Sequence, residues 1–213
     1  MDQKININSD NYVDNDEFLL DQIKMGAYCL TYAPKKLQKD KEFILKAVKN
    51  NGLSLHFASV KFQNDKEIVF KAIKNNYCAL KYASEELQND KDFILKALKE
   101  NVYTLRYASE NLKNNKEIVL KAIKIDGLSL EYASKNLKNN KKFVLEAIKN
   151  NGLSLQYASK NLKKNKKLIL TALKYVYFVN YINFKNNNCK FGSRTKFYEK
   201  MLKISFQEIL GYY

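Results

Sequence analysis

The sequence predicts an all-α protein, an α-solenoid of about six 25-residue helix-pair repeats with a C-terminal helical cap, and three observations carry that prediction. An aromatic-alanine doublet returns every 25 residues, as Tyr32-Ala33, Phe57-Ala58, Tyr82-Ala83, Tyr107-Ala108, Tyr132-Ala133 and Tyr157-Ala158. A second set of alanines at the same interval, Ala47, Ala72, Ala97, Ala122, Ala147 and Ala172, sits in Leu-Lys-Ala-type apolar runs. Apolar residues between these markers fall at helical spacing, and self-similarity at a period of about 20–50 residues marks stacked supersecondary units.

The elements follow in order. Residues 1–13 form a polar N-terminal segment, and 14–174 hold the repeats. In the copy Asn64–Gln88, Asn64 or Asp65 can accept from the free N–H groups of a helix start. Glu67 follows three residues after Asn64, in the manner of a capping box. Asp14/Glu17, Asn89/Asp92 and Asn114/Glu117 repeat the signal, and Lys142 and Lys167 interrupt it in the last copies. Asn51-Gly52, Asp126-Gly127 and Asn151-Gly152 end helix A, where glycine tolerates a left-handed conformation. The broad apolar arc of Phe43, Ile44, Leu45, Ala47 and Val48 fits a helix pressed between neighbours. Helix B carries Leu55, Ala58, Ser59 and Phe62 at i, i+3, i+4 and i+7, with Ser54 or a neighbour as its cap. Pro34 requires a helical first turn close to that point. The aromatic column is expected to pack on the adjacent copy. A seventh helix A is placed at about 164–174, and the repeat then fails, leaving 175–213 as a cap over the last apolar face.

Charge is polarised along the chain. Residues 1–50 carry 8 basic and 8 acidic side chains, 51–100 carry 8 and 7, 101–150 carry 10 and 5, and 151–213 carry 12 and 2. Only Arg106 and Arg194 are arginines, so the net charge of +16 is lysine charge, which lacks the planar fork that reads bases. The basic patch Lys163, Lys164, Lys166, Lys167, Lys196, Lys200 and Lys203 offers an alternative function, polyanion binding to nucleic acid or an anionic membrane. A second surface is written in columns that change from copy to copy: Thr31, His56, Lys81, Arg106, Glu131 and Gln156, and four residues later Lys35, Val60, Glu85, Glu110, Lys135 and Lys160. Lys81–Glu85, Arg106–Glu110 and Glu131–Lys135 read as i,i+4 pairs, as do Glu42–Lys46, Glu67–Lys71 and Glu117–Lys121.

Enzyme chemistry finds no purchase. His56 is the single histidine, and the sequence has no phosphate-binding Gly-rich loop, Gly-x-Ser-x-Gly elbow, His-Glu-x-x-His pair or Cys-x-x-Cys pair. Cys29, Cys78 and Cys189 lack metal-ligand spacing. No catalytic residue, cofactor or metal is therefore expected. With no apolar run of membrane-span length and a polar N-terminus, the expected location is intracellular, a host-cell cytoplasm included.

The stretch Leu80-Lys-Tyr-Ala-Ser-Glu-Glu-Leu87-Gln-Asn-Asp-Lys-Asp-Phe-Ile-Leu-Lys-Ala97 resembles the repeat of the domain-of-unknown-function 4116 family. The resemblance covers about residues 14–174, with Pro34 in place of serine and Gln22 in place of alanine as departures. It implies a tandem helical array and no established activity or catalytic residue. The expected function is a non-enzymatic scaffold that binds another protein through the variable helix B face.

Overall fold

The computed structural model describes residues 16–186, the side chains of 177–186 excepted. Two compact units are formed, within residues 1–109 and 110–213. In the first, α1 (Asp16–Met25) leads into a 3-10 segment (Ala27–Tyr32) and the one-turn helix α2 (Lys35–Gln38). The same triplet recurs as α3 (Lys41–Asn50), Gly52–Phe57 and α4 (Val60–Gln63), then as α5 (Lys66–Asn75), Tyr77–Tyr82 and α6 (Glu85–Gln88). Helix α7 (Lys91–Glu100) and Val102–Tyr107 follow. The second unit runs α8 (Glu110–Lys113), α9 (Lys116–Ile125), Gly127–Tyr132, α10 (Lys135–Lys138), α11 (Lys141–Asn150), Gly152–Tyr157, α12 (Lys160–Lys163) and α13 (Lys166–Asn186). Among the described residues there is no strand.

Each repeat therefore has three helical pieces instead of two. Helix B divides: a 3-10 turn ends at the aromatic, and the alanine and serine that follow are extended (Ala83 φ −69°, ψ 159°; Ser84 φ −58°, ψ 152°). The serine then caps a one-turn α-helix, its Oγ accepting from Leu87 N at 3.2 Å. Pro34 stands at this same cap position. The break is bridged by Gln63, whose Nε2 donates to the carbonyls of Leu55, His56 and Ala58 at 3.1–3.2 Å. Gln88 does the same for Leu80, Lys81 and Ala83.

Of the two candidate cap residues, Asn64 and Asp65, the second is used, one residue beyond the start of the expected capping box. The caps are Asp40, Asp65, Asp90, Asn115 and Asn140, each accepting from N–H groups of the first turn. Asn64 instead receives the hydroxyl of Ser84 in the next copy, at 2.6 Å. Ser109–Asn89, Ser134–Asn114 and Ser159–Asn139 repeat this link at 2.6–2.7 Å. At the far end the long helices stop in extended residues, Asn51 with φ −146° for example. Asn51 then caps the 3-10 turn by accepting from Leu53 N.

The glycines have a different task from the one expected. None of Gly52, Gly127 and Gly152 has a left-handed φ. A Cβ at these positions would meet the carbonyl oxygen of Ala72, Ala147 or Ala172 at 2.4–2.5 Å. They admit the next long helix: Gly52–Phe57 lies between α3 and α5, and Gly127–Tyr132 between α9 and α11. An asparagine completes the joint, Asn75 Oδ1 accepting from Gly52 N at 2.7 Å while its Nδ2 donates to Lys49 O at 2.9 Å. Asn150 repeats this with Gly127 N and Lys124 O.

The core is a seam between successive long helices and the 3-10 turns laid beside them. Ile44, Ala47, Val48, Leu55, Ile68, Val69, Ala72 and Leu80 are fully buried in the first unit, as are Ile118, Val119, Ala122, Leu130, Val144, Ala147 and Ile148 in the second. The seventh long helix, expected at 164–174, starts at Lys166 and continues without a break to Asn186. The polar N-terminal segment 1–13 and the part of the expected cap beyond Asn186 lie outside the described residues.

Candidate interaction surfaces

The 3-10 turn determines which side chains face solvent. Its third residue points inward and is small, as in Ser54, Ala79, Thr104, Ser129 and Ser154, all with 0% exposure. The fourth is leucine, half-buried at Leu155 and buried in the other copies. The fifth turns out to solvent: Thr31, His56, Lys81, Arg106, Glu131 and Gln156 are exposed. After the extended alanine and serine, the first residue of the one-turn helix is exposed again, as Lys35, Val60, Glu85, Glu110, Lys135 and Lys160. Val60 is 77% exposed, an apolar residue with no neighbour over it.

Lys81–Glu85 and Glu131–Lys135, expected as i,i+4 helix pairs, form no ion pair. The extended Ala83-Ser84 and Ala133-Ser134 dipeptides separate their members, so they do not share a helix turn. The same interruption, at Ala108, lies between Arg106 and Glu110. Several of these residues rest on aromatic rings instead. The His56 ring lies 4.7 Å from Phe57 and 4.4 Å from Tyr82, Lys81 Nζ 5.6 Å from the Tyr82 ring and Arg106 5.7 Å from Tyr107. The aromatic column packs on the preceding copy in part: Tyr107 lies 6.3 Å from Tyr77 and its hydroxyl 3.5 Å from Cys78 Sγ, whereas Tyr32 is 71% exposed.

A second surface lies at the N-terminal ends of the long helices, and local sequence pattern did not reveal its ion pairs. Lys41 reaches forward one repeat to Asp65 and Glu67, both at 2.9 Å, and Lys66 reaches Asp90 at 2.6 Å. The hydrogen bonds that Lys41 donates to Glu67 and Asp65 push its pKa up to about 12. The Lys66 ammonium beside Asp90, with backbone donors of the first helical turn, holds that carboxyl below the usual carboxylate range. At Asp65 partial burial works upward and is outweighed by Lys41 and the N–H groups of Ile68 and Glu67. Glu67 thus pairs with Lys41 in place of Lys71, and Glu42 forms no ion pair with Lys46. Glu117–Lys121 forms at 3.4 Å as expected.

In the second unit the equivalent caps are Asn115, Asn140 and Asn165, which accept from first-turn N–H groups at 3.0–3.2 Å but carry no charge. Lys116, Lys141 and Lys142 are exposed and have no carboxylate partner among the described residues. Of the lysine patch read from the sequence, Lys163, Lys164 and Lys167 are exposed and Lys166 is half-buried, while Lys196, Lys200 and Lys203 lie outside the described residues. At the bridging position of Gln63 and Gln88, the second unit has Lys138, whose pKa burial lowers.

Open grooves run between neighbouring long helices. One of about 600 Å³ in the first unit has Phe70 and Phe93 at its floor, with Lys96 Nζ 4.2 Å and Lys74 Nζ 5.2 Å from the Phe70 ring. One of about 460 Å³ in the second lies between Lys116 and Leu120 of α9 and Lys142 and Phe143 of α11. Among the described residues no three His, Cys, Asp or Glu side chains are grouped to hold a metal. No described helix is long and apolar enough to cross a membrane.

The family model for the domain of unknown function DUF4116 matches residues 40–88, 65–113, 90–138 and 140–186. The chain belongs to this family. Each DUF4116 match is about two repeats long, and consecutive matches overlap by one repeat over 40–138, in register with the 25-residue triplets. No curated protein and no solved structure matches the chain. As a DUF4116 protein it is a repeat helical protein, and the family description attaches no activity to the positions above.

Proposed function

We propose that this DUF4116 chain is a non-enzymatic α-solenoid scaffold that docks another protein on the face formed by the 3-10 turns and one-turn helices. The single observation behind this reading is the contrast within each repeat. The buried alanines, leucines and linking Ser–Asn pairs recur from copy to copy, while the two outward positions change identity and are exposed in all six copies. A repeat frame that fixes its seams and varies its outer face is built for specificity. His56, Lys81 and Arg106 are held by ring contacts, so part of the ordering entropy of a docking surface is already spent. The reading assigns no residue to catalysis and requires no cofactor or metal.

Two measurements test it. A solenoid keeps the equivalent long helices of successive copies about 8–10 Å apart, so spin labels at Lys46 and Lys71 within the first unit should report one short, narrow separation. A broad distribution of long separations would remove the architecture. For the docking face, proteins captured by the wild-type chain from its host are compared with those captured by Lys81→Glu/Arg106→Glu/Glu131→Lys. The triple variant should lose a stoichiometric partner while its circular dichroism is unchanged, and an identical set of captured proteins would remove the assignment of the face.

A further inference from the structure

The two units treat one position, the N-cap of the long helix, in opposite ways. In the first unit it is Asp40, Asp65 and Asp90; in the second Asn115, Asn140 and Asn165. Asparagine caps a helix as well as aspartate does, and the cap hydrogen bonds persist: Asn115 Oδ1 accepts from Glu117 N at 3.0 Å as Asp65 Oδ1 accepts at 2.9 Å. What the exchange removes is charge. The lysine that opens each long helix lies within reach of the next copy's cap, as Lys41–Asp65 and Lys66–Asp90 show. For Lys116 and Lys141 the residue at the next cap is the neutral amide of Asn140 or Asn165.

A second change acts in the same direction on the same edge. The next helical position is Glu42, Glu67 and Asp92 in the first unit and becomes Lys142 and Lys167 in the last two repeats. The long helices α9, α11 and α13 pack side by side, and Lys116 and Lys142 line one groove, so these ammonium groups share an edge with one step per repeat. The partial positive charge of three helix N-termini adds to them.

The partner class follows from what this edge contains and what it lacks. The two carboxylates that line the groove, Glu117 and Glu146, are paired with Lys121 and Lys149, so the charges this edge offers among the described residues are lysines, which neutralise a phosphate as a point charge without forking onto a base edge. Among the described residues of this unit the exposed large apolar side chains, Ile125 and Leu153, lie near the opposite ends of the long helices. Among the described residues the edge therefore offers no exposed apolar wedge of the kind an interfacial helix sinks into a bilayer. We propose that this edge of the second unit binds the phosphodiester backbone of a nucleic acid without sequence preference, through Lys116, Lys141, Lys142 and Lys167. The site is separate from the variable 3-10 face and stands or falls independently of it.

The decisive experiment restores the first unit's charge pattern without touching a lysine. The whole chain and the variant Asn115→Asp/Asn140→Asp/Asn165→Asp are titrated into a fluorescent oligo(U) RNA of about 20 nucleotides and a duplex DNA of similar length, between about 50 and 200 mM salt. The wild-type chain should bind, with an affinity that collapses as salt rises. Each phosphate contact contributes about 0.7 to the single-strand salt slope, so occupying Lys116 and Lys141 with the carboxylates at positions 140 and 165 should lower the slope by about 1.4 and weaken binding several-fold. Thermal stability should hold or rise, since an acidic cap favours a helix N-terminus. If the variant misfolds, Lys116→Gln/Lys142→Gln/Lys167→Gln takes its place with the same expected loss. The proposal is overturned by equal binding of wild type and variant, by no oligonucleotide binding at the lowest salt, or by binding confined to phosphatidylserine vesicles.

Discussion

The two units share a frame and differ in how they carry charge. Residues 1–109 hold 17 basic and 15 acidic side chains, and 110–213 hold 21 and 7. Yet the joints are the same: Ser84–Asn64 and Ser134–Asn114 are both 2.6 Å, and Gly52–Asn75 and Gly127–Asn150 both 2.7 Å. The contrast teaches that burial and neutral hydrogen bonds hold the repeats together. The ion pairs Lys41–Asp65 and Lys66–Asp90, at exposed side chains where such pairs contribute little, have neutral Asn140 and Asn165 in place of the aspartates at the equivalent positions of the second unit.

The comparison is put under most strain by equivalent core truncations. Leu80→Ala and Leu130→Ala each remove a leucine with no exposed surface, and each should cost about 2–5 kcal/mol in urea unfolding. A large difference between them would show that the frames are not energetically alike. Overpacking comes next. Gly127→Val sets a Cβ 2.4 Å from Ala147 O and 2.8 Å from Ser154 Oγ, and Gly52→Val one 2.4 Å from Ala72 O, so each should cost about 1–3 kcal/mol by the same measurement. Ser84→Ala and Ser134→Ala, which remove both a helix cap and the link to the preceding copy, should each cost about 1 kcal/mol.

The smallest effects separate the units by pH. Asp90 has a folded-state pKa below its ordinary 3.8, so its contribution is complete above that value and is lost as pH falls through the depressed one. Acid titration of stability should therefore flatten in Asp90→Asn, which gives the first unit a cap like those of the second. Lys138 has the reverse sign. Burial lowers its pKa below 10.5, so the unfolded chain binds more protons and stability rises with pH between the folded value and 10.5. Lys138→Gln, which installs the bridging amide of Gln63, should abolish that rise.

Much of this architecture was legible in residue order. The period, the long helices and their alanine seam follow from apolar spacing, and the outward positions follow from their changing identity. The split of helix B was masked because Leu55, Ala58, Ser59 and Phe62 have helical spacing although the chain is extended at Ala58 and Ser59. Pro34 carried the information, since a proline belongs at the start of a helix and not in its middle. Cross-repeat bonds were hidden for a different reason. Lys41–Asp65 and Ser84–Asn64 join residues 24 and 20 positions apart, beyond the i,i+4 window in which charge and capping patterns are read. Glycine misled through its better-known property, because its value here is a missing side chain and not an unusual backbone angle.

The serine-asparagine link has one more implication. Donor and acceptor are always 20 positions apart, and the unit that contains them is 25 long. Excising or duplicating one whole period between Asn64 and Ser159 in the gene would carry each donor to a new acceptor of the same kind, leaving no orphaned partner at the splice. Array length is thus free to drift by whole copies while the bonding rule stays constant.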